Sequence, residues 1–306
     1  MWLSFAFLSA ILLGLYDVFK KRSLNDNAVI PVLFINTLAC TLTFLPFIIA
    51  SANHIIAEDS PYFIPTGDFE THRYIFLKAV IVLASWIFGY FGIKHLPLTI
   101  VGPINATRPV MVLLGALLVF NESLNIWQWI GVVLAIISFF LLSISGRKEG
   151  IRFSHNKAIW LVVLAAILGA VSGLYDKFIL TSQEQGGMGI NRMMMQGWFN
   201  LYQCVLMLII LFALWLPLRH RTTPFQWRWS IVMISIFLTL ADFVYFYALS
   251  LPDAMISIIS MVRRSSVLVS FIFGAIMFHE KNLKAKAVDL ALVIISMMFL
   301  ALGTYL

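Results

Sequence analysis

Charge is what this chain has least of. Only 11% of its 306 residues are Asp, Glu, Lys or Arg, against roughly 25% in a soluble globular protein. With 61% hydrophobic residues beside that deficit, a water-soluble fold is excluded for most of the length. Cysteine is scarce as well. Cys40 and Cys204 both fall in apolar runs, so no disulfide framework is implied. Long polar segments are missing too: the longest connection, Ser51–Arg73, carries Glu58, Asp59, Asp68 and Glu70 and is too short for a soluble domain. No Walker motif occurs, which argues against ATP-driven pumping. The six histidines have no metal-ligand spacing with Cys or carboxylate. No cofactor, metal or enzyme activity is expected. The basic excess of +7 is scattered through short loops rather than gathered on one face, so it signals topology and not nucleic acid.

What is present is a series of apolar runs, each of a length to cross a bilayer as a helix. They predict ten helices, at about 2–20, 29–50, 74–94, 97–120, 125–145, 158–180, 193–216, 229–250, 253–278 and 284–305. The first has no charged segment before it and no small-residue cleavage site after it, so it reads as a retained span.

The runs repeat. Gly14-Leu15-Tyr16-Asp17 recurs as Gly173-Leu174-Tyr175-Asp176, and Phe34-Ile35-Asn36 with Cys40 as Trp198-Phe199-Asn200 with Cys204. Tyr90-Phe91 and Leu96-Pro97 recur as Tyr245-Phe246 and Leu251-Pro252, a register that sets Arg108 on Arg263. Phe120-Asn121-Glu122 matches Phe278-His279-Glu280, and Ile136-Ile137-Ser138 matches Ile294-Ile295-Ser296. The expected fold is an all-α integral membrane protein: ten transmembrane helices in two five-helix repeats, residues 1–146 and 157–306. An odd number of helices per half makes the second half enter from the opposite side, so the repeats are inverted, as in carriers whose site lies at the midplane. Loop charges, Lys20, Lys21 and Arg22 among them, place one side in the cytoplasm and both termini outside; Arg73, Lys78 and Arg192 fall on the other side.

Against this background Arg263 and Arg264 stand side by side near the centre of an apolar run, with Ser260 on the same turns. An arginine at mid-bilayer costs roughly 2.5–3.5 kcal/mol on insertion scales, so these two must line a protein interior or a wet cavity. Arg108 lies at similar depth, with Asn105 one turn earlier and Pro103 and Pro109 around it, a pattern that predicts a locally broken helix. A guanidinium fork fits a carboxylate or phosphate.

Ten spans, two five-helix repeats and a glutamate closing the fourth helix of each half (Asn121-Glu122, His279-Glu280) resemble the drug/metabolite transporter superfamily, and within it the EamA-like ten-helix members. The resemblance implies a secondary carrier that moves small metabolites by alternating access, its central cavity lined largely by helices 3, 4, 8 and 9.

Resemblance and residues together lead to a secondary active transporter for a small polar metabolite with an anionic group, an amino acid or organic acid. It is placed as a multi-pass protein of the cell (inner) membrane, as monomer or homodimer, in contact with membrane lipid and its small-molecule substrate. The alternatives are a flippase for an anionic lipid-linked head group, and a membrane receptor or transferase. Arg108, Asn105, Arg263, Arg264, Ser260, Tyr90, Trp86 and Tyr245 are the expected substrate contacts. Tyr16, Tyr175 and Tyr247 offer further ring faces. Asn36 and Asn200 are read as interhelical hydrogen bonders, and Glu122 and Glu280 as caps of the following helices. Coupling or gating falls to Asp17, Asp176 and Asp242, in the pairs Asp17–Arg108, Asp176–Arg263 and Asp242–Arg264. Asp242 breaks the repeat, its first-half counterpart being Ile87, and is the candidate for proton coupling.

Overall fold

The computed structural model describes residues 2–108, 110–112, 114, 125–147, 156–180, 182–249, 259, 262–278 and 283–305. All regular structure among them is helical. In chain order the longer helices are α1 (Trp2–Leu24), α2 (Val29–Ala52), α3 (Phe69–His95), α4 (Leu98–Ala106), α5 (Ile126–Arg147), α6 (Lys157–Leu180), α7 (Arg192–Ile210), α8 (Trp229–Leu249), α9 (Ser266–Met277) and α10 (Leu283–Tyr305). Six helical stretches among the described residues are long and apolar enough to cross a membrane: those of α1, α2, α3, α6, α8 and α7 with its extension to Arg221. Shorter apolar stretches, Ile126–Ser138 and Leu290–Phe299, lie in α5 and α10. The runs expected at 97–120 and 253–278 pass partly outside the described residues, as do Asn121, Glu122, His279 and Glu280.

Two helices run further than their apolar cores. α3 begins at Phe69 because Asp68 caps it, its carboxylate accepting from the Thr71 backbone N–H at 3.0 Å. That bond holds the Asp68 carboxyl below the usual range. Its contribution is therefore present at neutral pH and lost as pH falls through the lowered value. α1 continues through Lys20, Lys21 and Arg22 to Leu24. Lys20 meets Asp17 at 2.6 Å, and Lys21 donates to the carbonyls of Ile93 at 2.8 Å and Leu96 at 2.7 Å, at the C-terminal end of α3. A cation at a helix C-terminus satisfies carbonyls that have no partner within the helix. Lys20 and Lys21 are thus helix residues with internal partners, not the loop charges assumed in reading the topology.

The helices interleave. α1 packs along α8, α3 along α6, α2 along α7, α5 along α10, and α4 against α9. Each contact joins one of α1–α5 to one of α6–α10. Small residues set the closest approaches. A Cβ on Gly14 would overlap the Val269 side chain of α9 and stand 2.9 Å from the Ser266 carbonyl. α7 is continued by a widened turn, Leu211–Trp215, just ahead of Pro217. The proline offers no N–H and crowds the carbonyl four residues back, which accounts for the wider turn there.

The two glycines of the repeated Gly-Leu-Tyr-Asp string sit in different surroundings. Gly14 is crowded, whereas a Cβ on Gly173 would only touch Val112 at 3.8 Å. Gly14→Ala is expected to destabilise the protein by about 1–3 kcal/mol through overpacking, and Gly173→Ala to be neutral or slightly stabilising through helix propensity. Thermal unfolding in detergent checks both.

Candidate functional site

Both matched arginines stand beside a helix break. α4 stops at Ala106; Thr107 turns and its hydroxyl donates to the Ile104 carbonyl at 2.7 Å. Arg108 follows directly, as the bracketing prolines led one to expect; Pro109 itself lies outside the described residues. In the second half the turn falls at Ser265, immediately after Arg264, and its hydroxyl donates to the Val262 carbonyl at 2.6 Å. No proline marks that break.

Arg263 is fully held. It is ion-paired with Asp242 of α8, its Nε donates to Ser9 Oγ of α1 at 3.2 Å, and its guanidinium lies 4.1 Å from the centre of the Tyr245 ring. Ser9 in turn donates to the Ala241 carbonyl at 2.7 Å, which fastens α1 to α8 at the same level. Side-chain exposures of 14% and 16% for Arg263 and Asp242 mark a pair screened from the surroundings.

Arg108 has no such partner. It rests on α6, where one Nη donates a long 3.4 Å bond to the Ala165 carbonyl, while its Nε is buried with no hydrogen-bond acceptor. Gly169 makes the approach feasible, since a Cβ there would stand 2.7 Å from the guanidinium carbon. One turn earlier, Asn105 Oδ1 is also buried without a donor. Among the described residues Arg264 makes no hydrogen bond and no ion pair. Arg264 lies within electrostatic reach of Arg108, Arg263 and Asp17, and Arg108 within reach of Lys20 and Asp17.

The expected acid–base pairs are all exchanged. Asp17 pairs with Lys20, not Arg108, because Lys20 is one turn away on the same helix. Asp176 pairs with Lys78 of α3, not Arg263. Lys78 was assigned to a loop side; its side chain is 3% exposed, with its ammonium 5.3 Å from the Phe199 ring centre. Asp242 takes Arg263 rather than Arg264. Neighbouring helical residues project about 100° apart, so one carboxylate cannot serve both. Lys20, Lys78 and Gly169 are the site residues that sequence reading missed. The first had an i,i+3 signal, and the glycine a Gly169/Gly173 small-residue spacing.

Of the aromatic candidates, Tyr16 and Tyr90 receive the Lys20 ammonium at 4.2 Å and 5.3 Å from their ring centres, and the Tyr90 hydroxyl is buried without a partner. Trp86 meets Phe199 edge-on. Tyr175 and Tyr247 are drawn elsewhere, to the Tyr74 carbonyl and to Phe5 and Arg192. Asn36 Nδ2 finds no acceptor, so the interhelical bond expected of it is absent. Ser260 lies outside the described residues.

Ionised side chains sealed between long apolar helices define a multi-pass integral membrane protein. Residues 1–144 match the model of the EamA-like transporter family, and the resemblance to the drug/metabolite transporter superfamily is thereby borne out. The family is one of transporters. An uncharacterized protein of Methanocaldococcus jannaschii is 26% identical over 138 residues, which make up 45% of this chain and 93% of that protein. A solved crystal structure aligns over 98% of this chain and 97% of its own at 12% identity, with a TM-score of 0.64, a likeness of fold alone.

The Lys78–Asp176 pair yields a measurable coupling. Removing one partner of a buried pair costs about 3–5 kcal/mol, because the other charge is left uncompensated. Lys78→Met and Asp176→Asn are each expected to lower thermal stability, and the double variant to recover most of the loss. Additive losses would mean that the two side chains do not interact.

Proposed function

We propose that the chain is a secondary active transporter that moves a small polar metabolite with an anionic group, an amino acid or organic acid, by alternating access across the cell membrane. The carrying observation is that Arg108 and Arg264 are buried cations with no carboxylate of their own. A buried guanidinium without an acid is costly, and an anionic substrate is the partner that relieves it. Asn105 and Tyr90 add a free acceptor and a free hydroxyl beside them.

Ten spans in two inverted halves, residues 1–146 and 157–306, complete this reading. It is supported by the exchange of helix partners: α1 on α8 corresponds to α6 on α3 when the halves are swapped, and α2·α7, α4·α9 and α5·α10 map onto themselves. A relative of about half this length, itself nearly all aligned, supports a half as a unit. Within that frame Arg108 lies against the α3·α6 pair and Arg263 against the α1·α8 pair, equivalent places about one pseudo-twofold axis. Asp242 keeps the coupling role, since protonation would release Arg263 from its acid.

Uptake into proteoliposomes tests the reading. Arg108→Gln and Arg264→Gln are each expected to weaken apparent substrate affinity about tenfold or more, the scale of a lost charge-assisted bond. Gly169→Ala, which displaces the Arg108 guanidinium, is expected to lower uptake without abolishing folding. Asp242→Asn should flatten the pH dependence of transport; a profile unchanged from the parent protein would remove the coupling role.

A further inference from the structure

The same region carries a charge ledger that narrows the ligand. Lys20, Arg108, Arg263 and Arg264 lie within electrostatic reach of one another through Asp17 and Asp242, four cations against two carboxylates. The adjoining Lys78–Asp176 pair is neutral as a unit. Two positive charges are therefore left over, and they belong to the two arginines that have no acid.

The other side of the ledger is equally specific. Each described carboxylate of the membrane-spanning helices is engaged: Asp17 by Lys20, Asp176 by Lys78 and Asp242 by Arg263. An ammonium group entering this region would find no described carboxylate free to receive it. The orphaned acceptor is Asn105 Oδ1, a neutral amide oxygen. It can take a hydrogen bond from a ligand hydroxyl but cannot balance a cation.

We propose that the ligand is a small divalent anion without an ammonium group, a phosphate monoester or a dicarboxylate, gripped between Arg108 and Arg264. The proposal rests on the anionic-substrate reading above and is narrower than it. Two guanidinium forks neutralise two anionic charges; a monocarboxylate leaves one arginine uncompensated, and a zwitterion adds a cation to a region already in excess. Arg263 stays with Asp242 and takes no part in the grip. Tyr90 and Asn105 face the uncharged part of the ligand.

Thermal stabilisation and calorimetric binding to the purified full chain, at constant ionic strength, test this with glycerol 3-phosphate, succinate, sulfate, lactate and alanine. The expected result is that the divalent probes bind at least about tenfold more tightly than lactate or alanine, and that Arg108→Gln or Arg264→Gln removes most of that preference. Binding confined to glycerol 3-phosphate, or to succinate, assigns the phosphate or the dicarboxylate and supports the proposal either way. A second measurement needs no variant. The second ionisation of a phosphate monoester lies near 6, so glycerol 3-phosphate affinity should fall about tenfold between pH 7.5 and pH 5, while sulfate, divalent throughout, keeps its own. A flat glycerol 3-phosphate profile overturns the divalent class. Lactate or alanine binding as tightly as succinate, with Arg264→Gln still weakening them, overturns this proposal and leaves the anionic site standing. No response to any of the anions overturns both.

Discussion

A cation in hydrocarbon must be given an anion or water, and the buried half of this protein is arranged around that demand. An uncompensated Arg or Lys at mid-depth costs several kcal/mol, as much as the net stability of many small domains. Three of the cations are answered from within: Lys20 by Asp17, Lys78 by Asp176 and Arg263 by Asp242. Two of these pairs tie helices of different halves together, α3 to α6 and α8 to the Arg263 turn. The helix packing and the ion pairs reinforce each other, because the ammonium and guanidinium groups reach their acids only where apolar seams and small residues allow close approach.

The repeat and the depth of the arginines were legible because both are written in short local strings. Gly-Leu-Tyr-Asp recurs, and two adjacent arginines in an apolar run need no partner to be noticed. The partners were less legible. Which of Arg263 and Arg264 meets Asp242 depends on a rotation of about 100° per residue and on where α8 crosses, and neither is fixed by the local string. Lys78 falls four residues inside an apolar run that was taken to begin at 74, and its depth follows only once Asp68 is seen to start the helix at Phe69. The Asp17–Lys20 pair is a different case, since its spacing was visible. The competing habit of counting basic residues near a helix end as topology signals concealed it. The second helix break, at Ser265, had no proline to announce it, and a serine hydroxyl bonding one turn back does the same work.

Two folded halves with matching arginines would by themselves give matching sites. Arg108 and Arg263 do occupy corresponding places, each laid against a pair of helices that the other half also forms. The difference lies in one position of the third helix in each half. Asp242 stands in α8 where Ile87 stands in α3, so Arg263 is pinned and Arg108 is left with a long bond to a carbonyl and an idle Nε. Were Ile87 also acidic, the region would have one more carboxylate, and only one positive charge would remain over. Were Asp242 apolar, three charges would remain and no simple small metabolite would balance them. The departure from the repeat, rather than the repeat, therefore sets how much charge the region leaves for a ligand, while the shared architecture decides only where that ligand sits.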